Sequence, residues 1–87
     1  MKTKQIMILG STGSVGTKAL QIVEKNPEQF RVVGLSTNTN VKVLAEQIMK
    51  FKPRYVAVTD ATARAEFVKY KPPFVQVLPM EELSQIK

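Results

Sequence analysis

The sequence contains no cysteine and no histidine. Without cysteine the chain has no disulfide framework and no thiolate zinc site, which suits a reducing compartment. Without histidine it lacks the commonest general base and the commonest metal ligand. Its apolar runs are too short to span a membrane, and its N-terminus has no signal-peptide pattern. We therefore expect a cytoplasmic protein with no membrane partner.

The size and composition indicate one small globular domain. The chain has 87 residues, of which 44% are hydrophobic and 23% are charged, values typical of a folded domain rather than a disordered one. Its net charge of +6 is compatible with a polyanion ligand. The basic residues are scattered, however, and lysines near the ends of predicted helices favour the helix dipole there. We therefore expect no nucleic-acid partner.

A glycine-rich loop follows the first apolar run, residues 5–9, and precedes a helical pattern. The loop consists of Gly10, Ser11, Thr12, Gly13, Ser14, Val15 and Gly16. Gly10 allows a sharp turn, Gly13 leaves room for a pyrophosphate, and Gly16 allows close helix packing. The unpaired N–H groups of the first helical turn suit a phosphate ligand. We therefore expect these seven residues to bind a dinucleotide, with a ligand-free tight turn as the alternative.

Strand-like and helical patterns alternate along the rest of the chain. Strands are predicted at residues 5–9, 30–35, 55–58 and 74–78, and helices at residues 14–25, 41–51, 61–70 and 80–86. Asn40 and Asp60 are expected to cap the second and third helices. The buried helix residues are expected to be Val15, Ala19, Leu20, Val23, Val41, Leu44, Ala45, Ile48, Met49, Ala63, Phe67 and Val68.

This order of elements predicts an α/β fold. It specifies a Rossmann-like parallel sheet with helices on both faces, which is half of a doubly wound dinucleotide-binding domain. The strands that would complete such a domain are not in the sequence. We therefore expect residues 1–87 to be part of a dinucleotide-binding domain that belongs to a longer protein.

The loop after the second predicted strand has no carboxylate anywhere from residue 29 to residue 42. An acid at the end of this strand would bind the ribose 2′-hydroxyl of NAD and repel a 2′-phosphate. Its absence favours NADP. Hydroxyl and amide groups that can donate to a 2′-phosphate are those of Ser36, Thr37, Asn38, Thr39 and Asn40, and Lys42 could supply charge if its side chain turns back. For Asn40, helix capping and ligand binding are equally supported.

Three segments resemble the 1-deoxy-D-xylulose 5-phosphate reductoisomerase family. They are the loop ILGSTGSVG at residues 8–16 with NPEQFRVVGL at residues 26–35, and KPRYVAV at residues 52–58 followed by Asp60. The resemblance implies an NADPH-dependent oxidoreductase of isoprenoid biosynthesis that converts 1-deoxy-D-xylulose 5-phosphate to 2-C-methyl-D-erythritol 4-phosphate. It implies a cytoplasmic homodimer that uses Mg²⁺ or Mn²⁺.

The resemblance also assigns residues. Its first cofactor loop falls on Thr12, Gly13, Ser14 and Val15, and its second on Asn38, Thr39 and Asn40. Catalytic residues and metal ligands are expected outside this chain, in catalytic and C-terminal domains, so residues 1–87 alone are not expected to be catalytic.

The second loop departs from the family pattern. The family commonly has Gly-Lys-Asn or Gly-Arg-Asn where this chain has Asn38-Thr39-Asn40. Loss of a cation beside the 2′-phosphate removes a charge-assisted contact of about 1.5–3 kcal/mol. Two alternatives remain at this point: another NADP-dependent reductase, and a non-catalytic module that binds nucleotides or polyanions.

Overall fold

The computed structural model describes residues 3–86, so the outermost residues of the predicted 1–87 domain lie outside it. Strands and helices alternate in this range. They are β1 (Lys4–Ile8), α1 (Ser14–Lys25), β2 (Phe30–Thr37), α2 (Val41–Phe51), β3 (Tyr55–Val58), α3 (Ala61–Tyr70), β4 (Gln76–Val77) and α4 (Met80–Leu83). The strands form one parallel sheet in the order β1-β2-β3-β4. The predicted Rossmann-like α/β fold is confirmed.

The hydrophobic core lies between one face of the sheet and the first three helices. Each of the three connections through α1, α2 and α3 leads to the neighbouring strand on the same side of the sheet. Because such connections between parallel strands are right-handed, they place all three helices on the same face. The buried residues that pack together there are Leu20, Val23, Val32, Leu35, Leu44, Ile48, Val56, Val58, Phe67 and Val75. This core holds the carboxyl ends of β1 and β2, which carry the candidate site, beside each other.

The last helix lies on the opposite face. The register of β1 against β2 shifts between Ile6 and Met7, so that Met7 pairs with Gly34. A Cβ atom at Gly34 would lie 3.0 Å from Met7 Cγ and 3.1 Å from Leu83 Cδ1. Leu83 of α4 therefore covers the sheet at Gly34, and its side chain is fully buried. Helices thus occupy both faces, as predicted.

Three helix residues predicted to be buried are exposed. The exposed fractions are 81% for Val15, 59% for Met49 and 49% for Val68. Val15 lies in the first turn of α1, where Gly16 faces the protein instead. Met49 and Val68 each follow a buried residue directly, and about 100° of rotation per helical residue turns them away from the sheet.

The C-terminal elements are shorter than predicted. The fourth strand contains two residues, Gln76–Val77, rather than residues 74–78, and α4 ends at Leu83 rather than at residue 86. The Val75 N–H bonds back to the Pro72 carbonyl at 3.4 Å in a turn, and the first N–H of this segment that reaches β3 is that of Gln76, which donates to the Arg54 carbonyl. After Leu83 the N–H groups of Gln85 and Ile86 bond three residues back, as in isolated turns rather than an α-helix. None of the helices in residues 3–86 has the length and apolarity needed to cross a membrane.

Both predicted helix caps are present. The Asp60 carboxylate accepts a hydrogen bond from the Ala63 N–H at 2.9 Å, and Asn40 Oδ1 accepts one from the Val43 N–H at 3.3 Å. We expect Asp60→Ala to lower the free energy of unfolding by about 1 kcal/mol, because an N–H group of the first turn loses its partner. Asp60→Asn should lose less than half of that amount, since its amide oxygen still accepts. Urea unfolding measures both, and equal losses would contradict the capping role.

Candidate functional site

The loop between β1 and α1 is a tight turn closed by backbone hydrogen bonds. Gly10 has a φ of +70°, a left-handed conformation that favours glycine. The Gly13 N–H donates to the Gly10 carbonyl at 3.0 Å, and the Gly10 N–H donates to Ser36 Oγ at 2.8 Å. The turn therefore leaves the end of β1 sharply, as the sequence predicts for Gly10, and is joined to the end of β2.

The start of α1 contacts the backbone of this turn directly at Gly16. A Cβ atom at Gly16 would lie 2.4 Å from the Gly10 carbonyl oxygen and 2.6 Å from Ser11 Cα. Both distances are far below any real contact, so only a hydrogen atom fits. Close packing at Gly16 is therefore confirmed, and its partner is the turn itself.

Gly13 is not required by the protein's own packing. Its φ of −79° and ψ of 174° are open to any residue. A Cβ atom there would have only one close neighbour, the Gly10 carbonyl oxygen at an ordinary 3.4 Å. The space in front of Gly13 is therefore open on an exposed surface, and the fold itself does not require glycine at this position.

Several backbone N–H groups of the loop have no partner within the described part of the chain. The first helical hydrogen bond of α1 runs from the Thr17 N–H to the Gly13 carbonyl. Within residues 3–86, the N–H groups of Thr12, Ser14, Val15 and Gly16 have no acceptor. The first turn of α1 contains no acidic residue to compete for them. The loop thus presents unpaired donors at the positive end of a helix, which suits a phosphate.

The second predicted loop lies beside the first. Thr12 Oγ1 and Thr37 Oγ1 are 2.7 Å apart and share a hydrogen bond, and the Ser11 N–H donates to the Ser36 carbonyl at 2.8 Å. The carboxyl ends of β1 and β2 therefore form one crevice edge, where open α/β sheets bind dinucleotides. The structure brings the two groups of candidate residues together.

Ser11 and Ser36 support the loop from inside. Ser11 is fully buried and Ser36 is 1% exposed. The hydroxyl of Ser11 donates to Gln47 Oε1 at 2.8 Å, and Gln47 Nε2 donates to the Ser11 carbonyl at 2.8 Å. The side chains of both serines bond to other protein groups, so they hold the loop backbone from inside and do not face its open surface.

Sequence reasoning missed Gln47. The buried residues of α2 are Leu44, Gln47 and Ile48, with half-buried Phe51 one turn later. This is an unbroken helical stripe at spacings of three and four, in which one member is polar. A glutamine inside an apolar stripe was the available signal, because a buried amide requires a polar partner.

The second loop is exposed and anchored at Asn38. Asn38 Oδ1 accepts a hydrogen bond from Thr59 Oγ1 at 2.8 Å, and the Asn38 carbonyl accepts one from the Asp60 N–H at 3.1 Å. Thr39 and Asn40 are also exposed, and the Asn40 side-chain oxygen caps α2. The loop therefore combines fixed backbone with polar side chains that face solvent. Among residues 3–86, no three potential metal ligands lie together.

Comparison with known proteins identifies the family. A family model described as 1-deoxy-D-xylulose 5-phosphate reductoisomerase matches residues 6–82. The chain belongs to this family. The reductoisomerase of Thermodesulfovibrio yellowstonii is 48% identical over 66 residues, which are 76% of this chain and 17% of that protein. The reductoisomerase of Elusimicrobium minutum is 41% identical over 83 residues, which are 95% of this chain and 21% of that protein.

A solved structure agrees on the fold. The reductoisomerase of Zymomonas mobilis in complex with NADPH aligns with a TM-score of 0.82 and 23% identity, over 94% of this chain and 22% of that one. This chain thus spans about a fifth of the length of the reductoisomerases that it matches. The family membership predicted from the glycine-rich loop and the segment after α1 is confirmed.

A matched pair of variants tests the different roles of two glycines. We expect Gly16→Ala to lower the free energy of unfolding by about 2–3 kcal/mol, because its methyl group overlaps the backbone of the turn. Gly13→Ala should change it by less than about 0.5 kcal/mol, since its methyl group enters open space. Urea unfolding of both proteins gives the comparison. Similar stability of the two variants would contradict the close contact at Gly16.

Proposed function

We propose that this chain is the NADPH-binding portion of a 1-deoxy-D-xylulose 5-phosphate reductoisomerase, with the catalytic and C-terminal domains in the rest of the polypeptide. The complete enzyme would convert 1-deoxy-D-xylulose 5-phosphate to 2-C-methyl-D-erythritol 4-phosphate in isoprenoid biosynthesis. The observation that carries the proposal is the loop of unpaired N–H donors in front of Gly13, in a chain that belongs to this family. The family match does not favour an unrelated reductase or a non-catalytic polyanion-binding module.

The pyrophosphate of the cofactor would lie against the first loop. The N–H groups of Thr12, Ser14 and Val15 would donate to its oxygens, and Gly13 would allow the close approach. Gly10 and Gly16 shape the turn, while Ser11 and Ser36 hold its backbone. In the complete enzyme, the bound cofactor would supply the hydride for the reduction. The role of this chain is to hold and orient the cofactor for that step.

The 2′-phosphate would lie against the second loop. Asn38, Thr39 and Asn40 are exposed polar residues, and no carboxylate lies between residues 29 and 42 to repel it. The proposed preference for NADP over NAD therefore depends on the neutral donors of these three residues, and the exposed Lys42 would add charge if its side chain turned back toward them. Neutral donors bind a phosphate more weakly than a charged side chain does.

The complete enzyme would also need a divalent metal ion, Mg²⁺ or Mn²⁺, held by ligands outside this chain. A solved reductoisomerase structure that is 24% identical to this chain is a complex with magnesium. We further propose that the complete enzyme is a cytoplasmic homodimer. Because the metal ligands are proposed to lie outside this chain and its proposed role is to bind the cofactor, residues 1–87 are not expected to be catalytic alone.

The first-loop assignment is tested by Gly13→Val in the polypeptide as its source produces it. We expect NADPH binding to fall by at least about 100-fold, because the new side chain occupies the space of the pyrophosphate. The free energy of unfolding should change by less than about 1 kcal/mol, since the fold leaves that space open. Calorimetric titration and urea unfolding measure the two quantities.

Turnover of 1-deoxy-D-xylulose 5-phosphate by the same preparation, followed as NADPH oxidation with Mg²⁺ present, tests the activity. Parent protein that turns over substrate and a folded Gly13→Val protein that does not are the expected results. Unchanged NADPH affinity in the folded variant would overturn the site.

The second-loop assignment is tested by adding the cation that the family commonly has. Thr39→Lys should raise the affinity for NADPH by about tenfold or more, because a charge-assisted contact to the 2′-phosphate is gained. The affinity for NADH, which has no such phosphate, should stay within about twofold. Thr39→Gln is the uncharged control of similar length. An equal gain in affinity for NADPH and NADH would mean that the lysine does not contact the 2′-phosphate.

A further inference from the structure

We propose that Gln47 of α2 is a positioning residue that orients the peptide group between Ser11 and Thr12 in the pyrophosphate-binding loop. The proposal rests on the proposed function, because it concerns how the chain presents its donors to the cofactor. It assigns a binding role to a buried residue that lies behind the loop rather than against the ligand.

The two ends of the Gln47 amide have different partners, which determines its orientation. Gln47 is 8% exposed, and its Nε2 donates to the Ser11 carbonyl at 2.8 Å. A carbonyl oxygen can only accept, so the amide nitrogen must face it. The amide oxygen then faces the Ser11 hydroxyl, which donates to it at 2.8 Å. No buried side-chain polar atom among the described residues lacks a partner, so this pairing is complete.

The orientation of one carbonyl determines the direction of the next N–H group. No cis peptide bond occurs in residues 3–86, and in a trans peptide the carbonyl and the following N–H point in opposite directions. Because Gln47 binds the Ser11 carbonyl, the Thr12 N–H points away from α2. That N–H has no acceptor within the described part of the chain. Gln47 therefore directs a ligand donor outward.

Loss of this hydrogen bond would change what the loop presents to an anion. The buried Ser11 carbonyl would have no partner, and rotation of the peptide toward water would relieve that cost. Rotation would replace the outward N–H by a carbonyl oxygen, which repels a phosphate. The same helix begins at the second loop, where Asn40 caps it. Through α2, Gln47 therefore also holds the first loop in place relative to the proposed 2′-phosphate site.

The experiment replaces Gln47 by methionine, which has similar length but no hydrogen-bonding amide, in the polypeptide as its source produces it. Two probes are titrated: NADPH, and adenosine 2′-monophosphate, which has no pyrophosphate. We expect the dissociation constant for NADPH to rise by about tenfold or more. The constant for adenosine 2′-monophosphate should stay within about twofold. Gln21→Met, at an exposed glutamine of α1, is the matched control and should change neither constant.

A second pair of variants separates the carbonyl contact from general stability. Ser11→Ala removes the hydroxyl but keeps the carbonyl that Gln47 binds, so NADPH affinity should fall less than in Gln47→Met. If the role of Gln47 were purely structural, the affinities for NADPH and for adenosine 2′-monophosphate would fall in parallel in both variants. Parallel loss, or an unchanged NADPH affinity in folded Gln47→Met, would overturn the proposal.

Gln47→Glu keeps the proposal testable if Gln47→Met does not fold. An ionised carboxylate cannot donate to the Ser11 carbonyl, whereas a protonated one can. NADPH affinity, relative to the parent at each pH, should therefore rise as the pH falls. Gln47 lines a groove between α1 and α2, whose ionisable groups are Glu24, Glu46 and Lys50. The parent protein carries the same three groups, so their titration affects both proteins. If the NADPH affinity of Gln47→Glu stayed close to that of the parent at every pH, the proposed role of Gln47 would be overturned. Failure of the parent to bind NADPH at any pH would instead overturn the proposed function.

Discussion

The contact between Gly16 and the backbone of Gly10 and Ser11 is the constraint on which the site depends. It places the first turn of α1 directly at the end of β1, with no side chain between the helix and the loop. The unpaired N–H groups of that turn therefore face the same crevice edge as the end of β2. An ordinary residue at position 16 would separate helix and loop and disperse those donors. Gly13, by contrast, is not required by the packing of the fold.

Buried polar residues extend this arrangement to the rest of the chain. Ser36, near the end of β2, binds the Gly10 and Ser11 N–H groups, and Gln47 binds Ser11 from α2. Each bond joins segments that are 25 to 36 residues apart in the sequence. The sheet sets the distances between these segments, and the polar groups set the orientation of the loop. A dinucleotide site needs both, because backbone donors act only when they point at the ligand.

Local sequence patterns were sufficient to predict most of the fold. The bounds of α1, α2, α3 and β3, the caps at Asn40 and Asp60, and the family itself were predictable, because each depends on residues close together in sequence. Gln47 was not predicted, since a stripe defined by apolar residues alone skips its polar member. The contact of Thr59 with Asn38 follows from the pairing of β3 with β2, which no local pattern contains. The short β4 depends on the turn in which the Val75 N–H bonds back to the Pro72 carbonyl. How the candidate residues bind a cofactor is still a prediction.

The central claim is that the loop from Gly10 to Gly16 binds the cofactor through its backbone N–H groups. Backbone amide resonances measured during an NADPH titration test it most directly, because hydrogen bonding to phosphate shifts the resonance of the donor itself. Large shifts are expected for the amides of Thr12, Ser14 and Val15, and none at these positions on addition of nicotinamide riboside, which lacks phosphate. Saturable NADPH binding that leaves these three amides unshifted would contradict the claim.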